Sequence, residues 1–265
     1  MTDETTRRDD YADFDHHSPH HREGAESRWE RMRACPGLPH SNKYGGFYVV
    51  TRHADLRKAA ANHGLYTTSE GAALPSESRT RHIPEEVDPP LQREYRRILE
   101  PFLTPDAVAP LESDARALAA QLLDAFAGEL RIDIVPRLTE IYPVHFSLGV
   151  FGFPRGDAPR LVDLVNRLIR GRGTDDGREA GGALVRYLED YVQAKAANAS
   201  GESSDVVTAI ARGSVQGRPL TMDEQISMTR LLLFGGFTTV NLALSYASYR
   251  IAQDPALGAR LHAEF

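Results

Sequence analysis

The sequence holds a single cysteine, Cys35, and a single tryptophan, Trp29, in 265 residues. A lone thiol excludes a disulfide framework and any cluster of thiolate metal ligands, and it fits a reducing compartment. A basic excess is also lacking. The 31 Lys and Arg against 37 Asp and Glu leave a net charge of −6, which argues against a nucleic-acid partner. No run of eighteen apolar residues occurs: Leu231 to Leu244 comes nearest and is interrupted by Gly235, Gly236, Thr238, Thr239 and Asn241, so no membrane span is expected. Met1 to Asp15 is polar and acidic, the reverse of a signal peptide. What is there, 41% hydrophobic and 26% charged, is an ordinary globular composition with material for a sizeable core, and the expected location is cytoplasmic.

Residues 1–25 carry many charges and four histidines, and read as a mobile polar tail whose end docks on the body; residues 26–265 read as one helical domain. His16, His17, His20 and His21 lack a rigid element that would fix metal-ligand geometry, so no metal site is expected there. Ser27 to Ala34 forms a short helix anchored by Trp29, and Gly46 to Arg52, aromatic and β-branched, is the one strong strand. Asp88-Pro89-Pro90 supplies a helix start, the helix running to about Leu103. Thr104-Pro105-Asp106 opens another, whose apolar face is Leu111, Ala115, Leu118, Ala119, Leu122 and Phe126. Helices follow at 139–151, 158–171, 181–197 and 205–212, with flexible loops at 171–177 and 197–204. Thr221-Met-Asp-Glu224 is a capping box for a long helix to about Gln253, and Asp254-Pro255 begins a last one. The class is mainly α with a small β-sheet.

Two stretches carry chemistry. The helix from Asp223 is apolar almost all round, which belongs at the centre of a protein, yet its middle is Gly235-Gly236-Phe237-Thr238-Thr239. Each glycine costs about 1 kcal/mol relative to alanine in a helix, and the threonines can bond back to the preceding turn and bend it. Either something approaches closely there, or the glycines serve a tight helix crossing. On the helix after Asp88, Leu91, Tyr95, Ile98, Leu99 and Phe102 form the buried face, Gln92 and Arg96 share its flank, and Arg93 and Arg97 point to solvent. The flanking pair suits the carboxylate of a largely apolar ligand; the alternative is a solvated basic face paired with Glu94 or Glu100.

Taken in order, Phe14-Asp-His-His-Ser-Pro19, Cys35-Pro with His40-Ser41, Gly45 to Arg52, Ile83 to Pro90, Tyr95-Arg-Arg97, Phe102-Leu-Thr-Pro105 and Leu231 to Thr239 make the chain resemble the soluble bacterial cytochrome P450 family, amino-terminal portion through the I helix. The resemblance implies the cytochrome P450-like fold, incomplete because the Cys-containing heme loop and the Glu-x-x-Arg helix do not appear. It further implies that the helices after Asp88 and Asp223 are the family's C and I helices. Gly235 and Gly236 would then make room for dioxygen over heme, and Thr239 would match the threonine that hydrogen-bonds the bound oxygen species. Arg96, with Gln92 where the family often has histidine, would bind a heme propionate, while Arg93 and Arg97 would meet a ferredoxin or flavodoxin-type electron donor. The run at 171–182 would join the F and G helices, the lid over the substrate channel.

Two departures from the family stand out. Thr238 occupies the position just before Thr239 where the family usually has an acid. Cys35 lies in the amino-terminal region, without the glycine-rich surround of an iron ligand, so no metal ligand is expected in this chain. The implied function is a heme-thiolate monooxygenase acting on a small organic substrate, the chain being a truncated portion inactive and without heme by itself. The alternative is a heme-free, non-catalytic auxiliary or scaffold protein on a degenerate form of the same fold.

Overall fold

The computed structural model describes residues 11–75, 81–171, 173–198 and 205–264. The chain divides into two units, one ending at Arg79 and one beginning at Thr80.

In the first unit, residues 1–10 of the expected tail lie outside the described residues; from Tyr11 the chain packs. Phe14 is buried, with His21 and Trp29 edge-on to its ring at centroid distances of 5.3 and 5.9 Å. Helix α1 (Pro19–Glu23) starts where the Ser18 side chain accepts the His21 N–H, and α2 (Ala25–Ala34) buries Met32. His16 and His17 both direct Nε2 at the Leu74 carbonyl, at 3.1 and 2.7 Å. The predicted strand is shorter than Gly46–Arg52. Only β2 (Phe47–Tyr48) pairs with β1 (His40–Ser41). Val49 N–H still reaches the Pro39 carbonyl, but proline has no N–H to return, and the ladder stops. Helix α3 (His53–Ala61) follows.

The second unit is a helical assembly. Helix α4 (Leu91–Leu99) starts two residues later than expected: Pro90, not Asp88, is the N-cap, without a side-chain bond. Tyr95 and Leu99 are buried and Leu91, Ile98 and Phe102 pack against the core, which is the expected face. The single helix expected from Thr104 is broken. Thr104 caps α5 (Pro105–Val108), a 3-10 turn spans Ala109–Leu111, and α6 (Glu112–Asp124) resumes, because Pro110 cannot donate to the preceding turn. The face named for it is nonetheless the half-buried one throughout. A π-turn at Val135–Thr139, which no sequence signal announced, leads into α7 (Ile141–Phe151).

Helix α8 (Ala158–Arg170) and α9 (Asp175–Asn198) lie against each other, burying Leu161, Leu164 and Val165 on one and Leu184, Leu188 and Val192 on the other. Helix α9 begins six residues before the expected 181, since Thr174 Oγ1 accepts the Gly177 N–H and Arg167 pairs with Asp176 at 2.6 Å. Residues 175–177 of the loop expected over 171–177 are thus helical; Arg172 lies outside the described residues, as do 199–204 of the second loop. Helix α10 (Val206–Ala211) precedes a hairpin, β3 (Ser214–Val215) with β4 (Arg218–Pro219), in register Val215 to Arg218. Its turn places both Gln216 and Gly217 at positive φ, the geometry of a two-residue hairpin.

Helix α11 (Met222–Gln253) opens with the predicted capping box and α12 (Pro255–Glu264) closes the chain. Gln225 to Thr229, Leu233 and Phe237 of α11 are buried; beyond Phe237 none is. By length and composition α11 is apolar enough to cross a membrane, which the interrupted run had not suggested, although its amino-terminal part is packed in the core.

Candidate functional site

The two glycines in the middle of α11 face different things. A Cβ at Gly236 would lie 2.5 Å from Ser147 Oγ, 2.9 Å from Ser147 Cβ and 3.0 Å from Phe151 on α7. The hydrogen at Gly236 therefore serves the crossing of α7 and α11. At Gly235 a Cβ would meet nothing within 4 Å. Gly235 and the exposed Thr239, Leu242, Tyr246 and Tyr249 recur every three or four residues, so they share one open face of the helix. Thr239 Oγ1 donates to the Gly235 carbonyl at 2.5 Å and Thr238 Oγ1 to the Phe234 carbonyl at 2.6 Å, both one turn back. Thr238 is half-buried and turned toward α8, away from that open face. There it lines a cavity of about 20 Å³ with Glu140, Asn166 and Asn241, residues that carry no local sequence signal.

On α4, Gln92 is half-buried and Arg93, Arg96 and Arg97 are exposed. Among the described residues no carboxylate pairs with any of the three arginines, and Glu94 instead accepts the Gln216 N–H at 2.7 Å. Arg97 lines, with Arg212, Ile98 and Phe102, an open cavity of about 540 Å³ between α4 and α10. The α4 and α11 groups meet through another residue pair: Tyr95 Oη donates to Glu224 Oε1 at 2.5 Å. Arg218 grips the same carboxylate through both terminal nitrogens at 2.8 Å, and Thr221 N–H adds a bond at 2.7 Å. The Arg218 guanidinium, aided by Tyr95 and Thr221, holds Glu224 down at about 2, while burial and then Glu224 push Tyr95 up to about 12. This lock lies eleven residues, about 16 Å along the helix, before Gly235. No hydrogen bond or ion pair among the described residues joins Gln92 or Arg96 to Gly235 or Thr239.

His82 stands beside Phe234, ring centroids 6.2 Å apart, and burial, followed by the Arg230 charge, pushes its imidazole below the ordinary range. Among the described residues no three His, Cys, Asp or Glu side chains are grouped to hold a metal.

No family model matches the chain. The cyclomarin C epoxidase CymV of Salinispora arenicola is 26% identical over 253 residues, covering 89% of this chain and 62% of that protein. A probable cytochrome P450 127A1 of Sinorhizobium fredii is 24% identical over 218 residues, covering 79% of this chain and 50% of that protein. The crystal structure of cytochrome P450 CYP101C1 superposes with a TM-score of 0.80 at 26% identity, covering 95% of this chain and 63% of that one. The chain resembles bacterial cytochromes P450. The fold is the cytochrome P450 fold, mostly helical with few strands. The chain spans between half and about three-fifths of the length of these relatives.

Cytochromes P450, which the chain resembles, carry heme. The open Gly235–Thr239 face suits a flat apolar group, since a side chain at 235 would fill space that nothing else occupies, and one hydroxyl stands over it. Gln92 and Arg96 are donors of the kind that hold carboxylates. The thiol does not match as well: Cys35 is buried, and its N–H closes the end of α2 on the Met32 carbonyl.

Proposed function

We propose that the whole protein is a heme-thiolate monooxygenase that inserts one oxygen atom of dioxygen into a small organic substrate. The observation that carries this reading is the open face around Gly235 in the middle of α11, flanked by the exposed Thr239 hydroxyl. A helix interior gives up about 1 kcal/mol at each glycine; at Gly236 the crossing with α7 accounts for it, and at Gly235 no protein contact does. When bound, heme would supply the redox-active iron at which dioxygen is reduced. Thr239 would direct its hydroxyl at the oxygen while the apolar Leu242 keeps water away. Arg96 would neutralise a propionate to which Gln92 donates a hydrogen bond, and Arg93 and Arg97 would receive the acidic surface of a ferredoxin or flavodoxin-type donor, an encounter weakened by salt.

The two sets of α4 residues separate by experiment in the heme-loaded protein. Arg96→Ala should weaken heme retention about tenfold or more at any salt concentration, the loss of a charge-assisted bond. Arg93→Ala and Arg97→Ala should keep heme and slow reduction, with the difference fading as salt rises. Full heme occupancy in Arg96→Ala with loss in Arg93→Ala would remove the propionate assignment. A heme-free scaffold is the second reading, favoured by the burial of Cys35 and by the hydroxyl at Thr238. Failure of the whole protein to give a thiolate-type carbon monoxide band would leave that reading standing.

A further inference from the structure

The turn that leads into α1 brings two imidazoles to one oxygen. His16 Nε2 and His17 Nε2 stand 3.1 and 2.7 Å from the Leu74 carbonyl, 58 and 57 residues further along the chain. Their ring centroids are 4.0 Å apart and their planes 41° out of parallel. As hydrogen bonds, these contacts require both Nε2 atoms to carry a proton and to crowd one acceptor, while neither Nδ1 has a partner among the described residues.

Sequence alone predicts no rigid element around these histidines; the structure provides one. Asp15 Oδ1 accepts the His17 N–H and the Tyr44 hydroxyl, each at 2.8 Å. The Ser18 hydroxyl donates to the Asp15 carbonyl at 2.8 Å, and its oxygen caps α1. One residue earlier, buried Phe14 accepts the Ser41 hydroxyl on its carbonyl at 2.6 Å. Tyr44 stands edge-on to both imidazoles at 5.8 and 6.0 Å, and Phe47 stands edge-on to His16 at 5.8 Å. His16 is half-buried behind these rings and His17 is exposed, so one side of the pair opens to solvent.

The distances are those of a coordination sphere. Two ligand atoms about 2.1 Å from one cation stand about 3.0 Å apart at a right angle and about 3.4 Å apart in a tetrahedron. The observed 3.1 and 2.7 Å match the right angle. Imidazole nitrogen and oxygen at right angles are the donors of tetragonal Cu²⁺ or Ni²⁺, of which Cu²⁺ binds the more strongly. Asp15, held below the ordinary carboxylate range by the His17 N–H and then by the Tyr44 hydroxyl, keeps a negative charge beside the pair.

We propose that His16, His17 and the Leu74 carbonyl form one face of a binding site for a divalent transition-metal ion, Cu²⁺ or Ni²⁺, with water completing the sphere on the exposed side. The cation takes the place of the two Nε2 protons, which move to the Nδ1 atoms, and its oxidation state does not change. It ties the turn before α1 to the segment after α3, wholly within the first unit, and it does not rest on heme chemistry.

Titration calorimetry of the chain with Cu²⁺ tests this and should show one tight equivalent. Changes outside the ligand set alone cost metal sites about 10–100-fold, so His16→Ala and His17→Ala should each weaken binding at least about tenfold. Asp15→Ala, which releases the turn, should weaken it about tenfold, and His20→Ala, at an exposed position on α1, should leave it unchanged. Pulsed electron paramagnetic resonance of the one-to-one complex should show two coupled imidazoles, and one in His17→Ala. Replacing the exposed His17 leaves the buried Phe14 in place, so the loss is read in a folded chain. Equal affinity in the native chain, His16→Ala and His17→Ala assigns the copper to other surface histidines and overturns the site, as does a native spectrum with a single imidazole. Unchanged affinity in Asp15→Ala overturns the fixed geometry, since two neighbouring histidines on a free turn would bind equally well.

Discussion

Adjacent glycines on α11 should respond to alanine with opposite signs. In Gly235→Ala the new methyl enters open space, so the helix gains the intrinsic preference for alanine, about 1 kcal/mol. In Gly236→Ala the same gain is outweighed. Ser147 Oγ, 2.5 Å from the added carbon, can rotate away, but Ser147 Cβ at 2.9 Å and the Phe151 ring at 3.0 Å are fixed to α7, so the two helices must separate. Overpacking of this kind costs about 1–3 kcal/mol. Both substitutions are read by thermal melting followed by circular dichroism, where about 1 kcal/mol corresponds to 2–4 °C in a domain of this size. Gly235→Ala should melt higher and Gly236→Ala lower. Ser147→Gly, which deletes both Ser147 contacts, should return much of the loss in the double variant but add nothing favourable alone. The open face supplies a second expectation: Gly235→Ala should weaken heme binding by the complete protein although it is the more stable variant. Shifts of the same sign at both positions would refute the division of roles.

The Glu224 lock predicts pH dependence: its carboxyl is held near 2 against an ordinary 4.5, so the stability it confers is complete above about 4.5 and is lost as pH falls toward 2. Tyr95 behaves oppositely, its stabilisation fading as pH rises from about 10 to 12. Tyr95→Phe should cost about 1.5–3 kcal/mol near neutrality, and urea melts across the acid range should show Glu224→Gln with a flatter profile. Gly152, at φ +90°, would drive a Cβ to 2.4 Å from Asp205 Cγ. Asp205 caps α10 through the Thr208 N–H and pairs with Lys195 at 2.7 Å, so Gly152→Ala should lose about 2–5 kcal/mol, measured by the same melts. Leu242, 69% exposed, together with Tyr249 makes an uncovered apolar strip on α11, so residues 1–265 expressed alone should self-associate. Sedimentation should show the association falling in Leu242→Glu, and a concentration-independent monomer would contradict it.

What the sequence displayed was whatever depends on near neighbours. Thr221 and Glu224 announced the start of α11 because a capping box closes within four residues. The face of α6 was visible because helical spacing alone decides it. Local signals misled where a distant partner overruled them. The glycine-rich stretch 171–177 read as a loop, yet α9 begins at Asp175, held by Arg167 on α8, and a Cβ at Gly181 would press to 3.2 Å on Leu168. Gly181 lets α8 and α9 come together, as Gly236 does for α7 and α11.

The candidate site divides along the same line. Gly235 and Gly236 are indistinguishable as letters, and only the position of Ser147, some ninety residues earlier in the sequence, says which of them supports the fold and which leaves space. The same holds for acidity. An acid beside Thr239 would have been read at once from position 238, whereas Glu140 reaches that side of α11 only because a π-turn at Val135–Thr139 sets the start of α7 against it. Thr139, at the end of that turn, is fully buried and bonds to Asn241 and Ser245. The polar contacts that hold the turn to the helix thus also orient the Asn241 amide toward the cavity. Where a helix must be apolar to sit in a core, the ionisable groups beside it are carried by whatever packs against it, and that neighbourhood is written in contacts rather than in motifs.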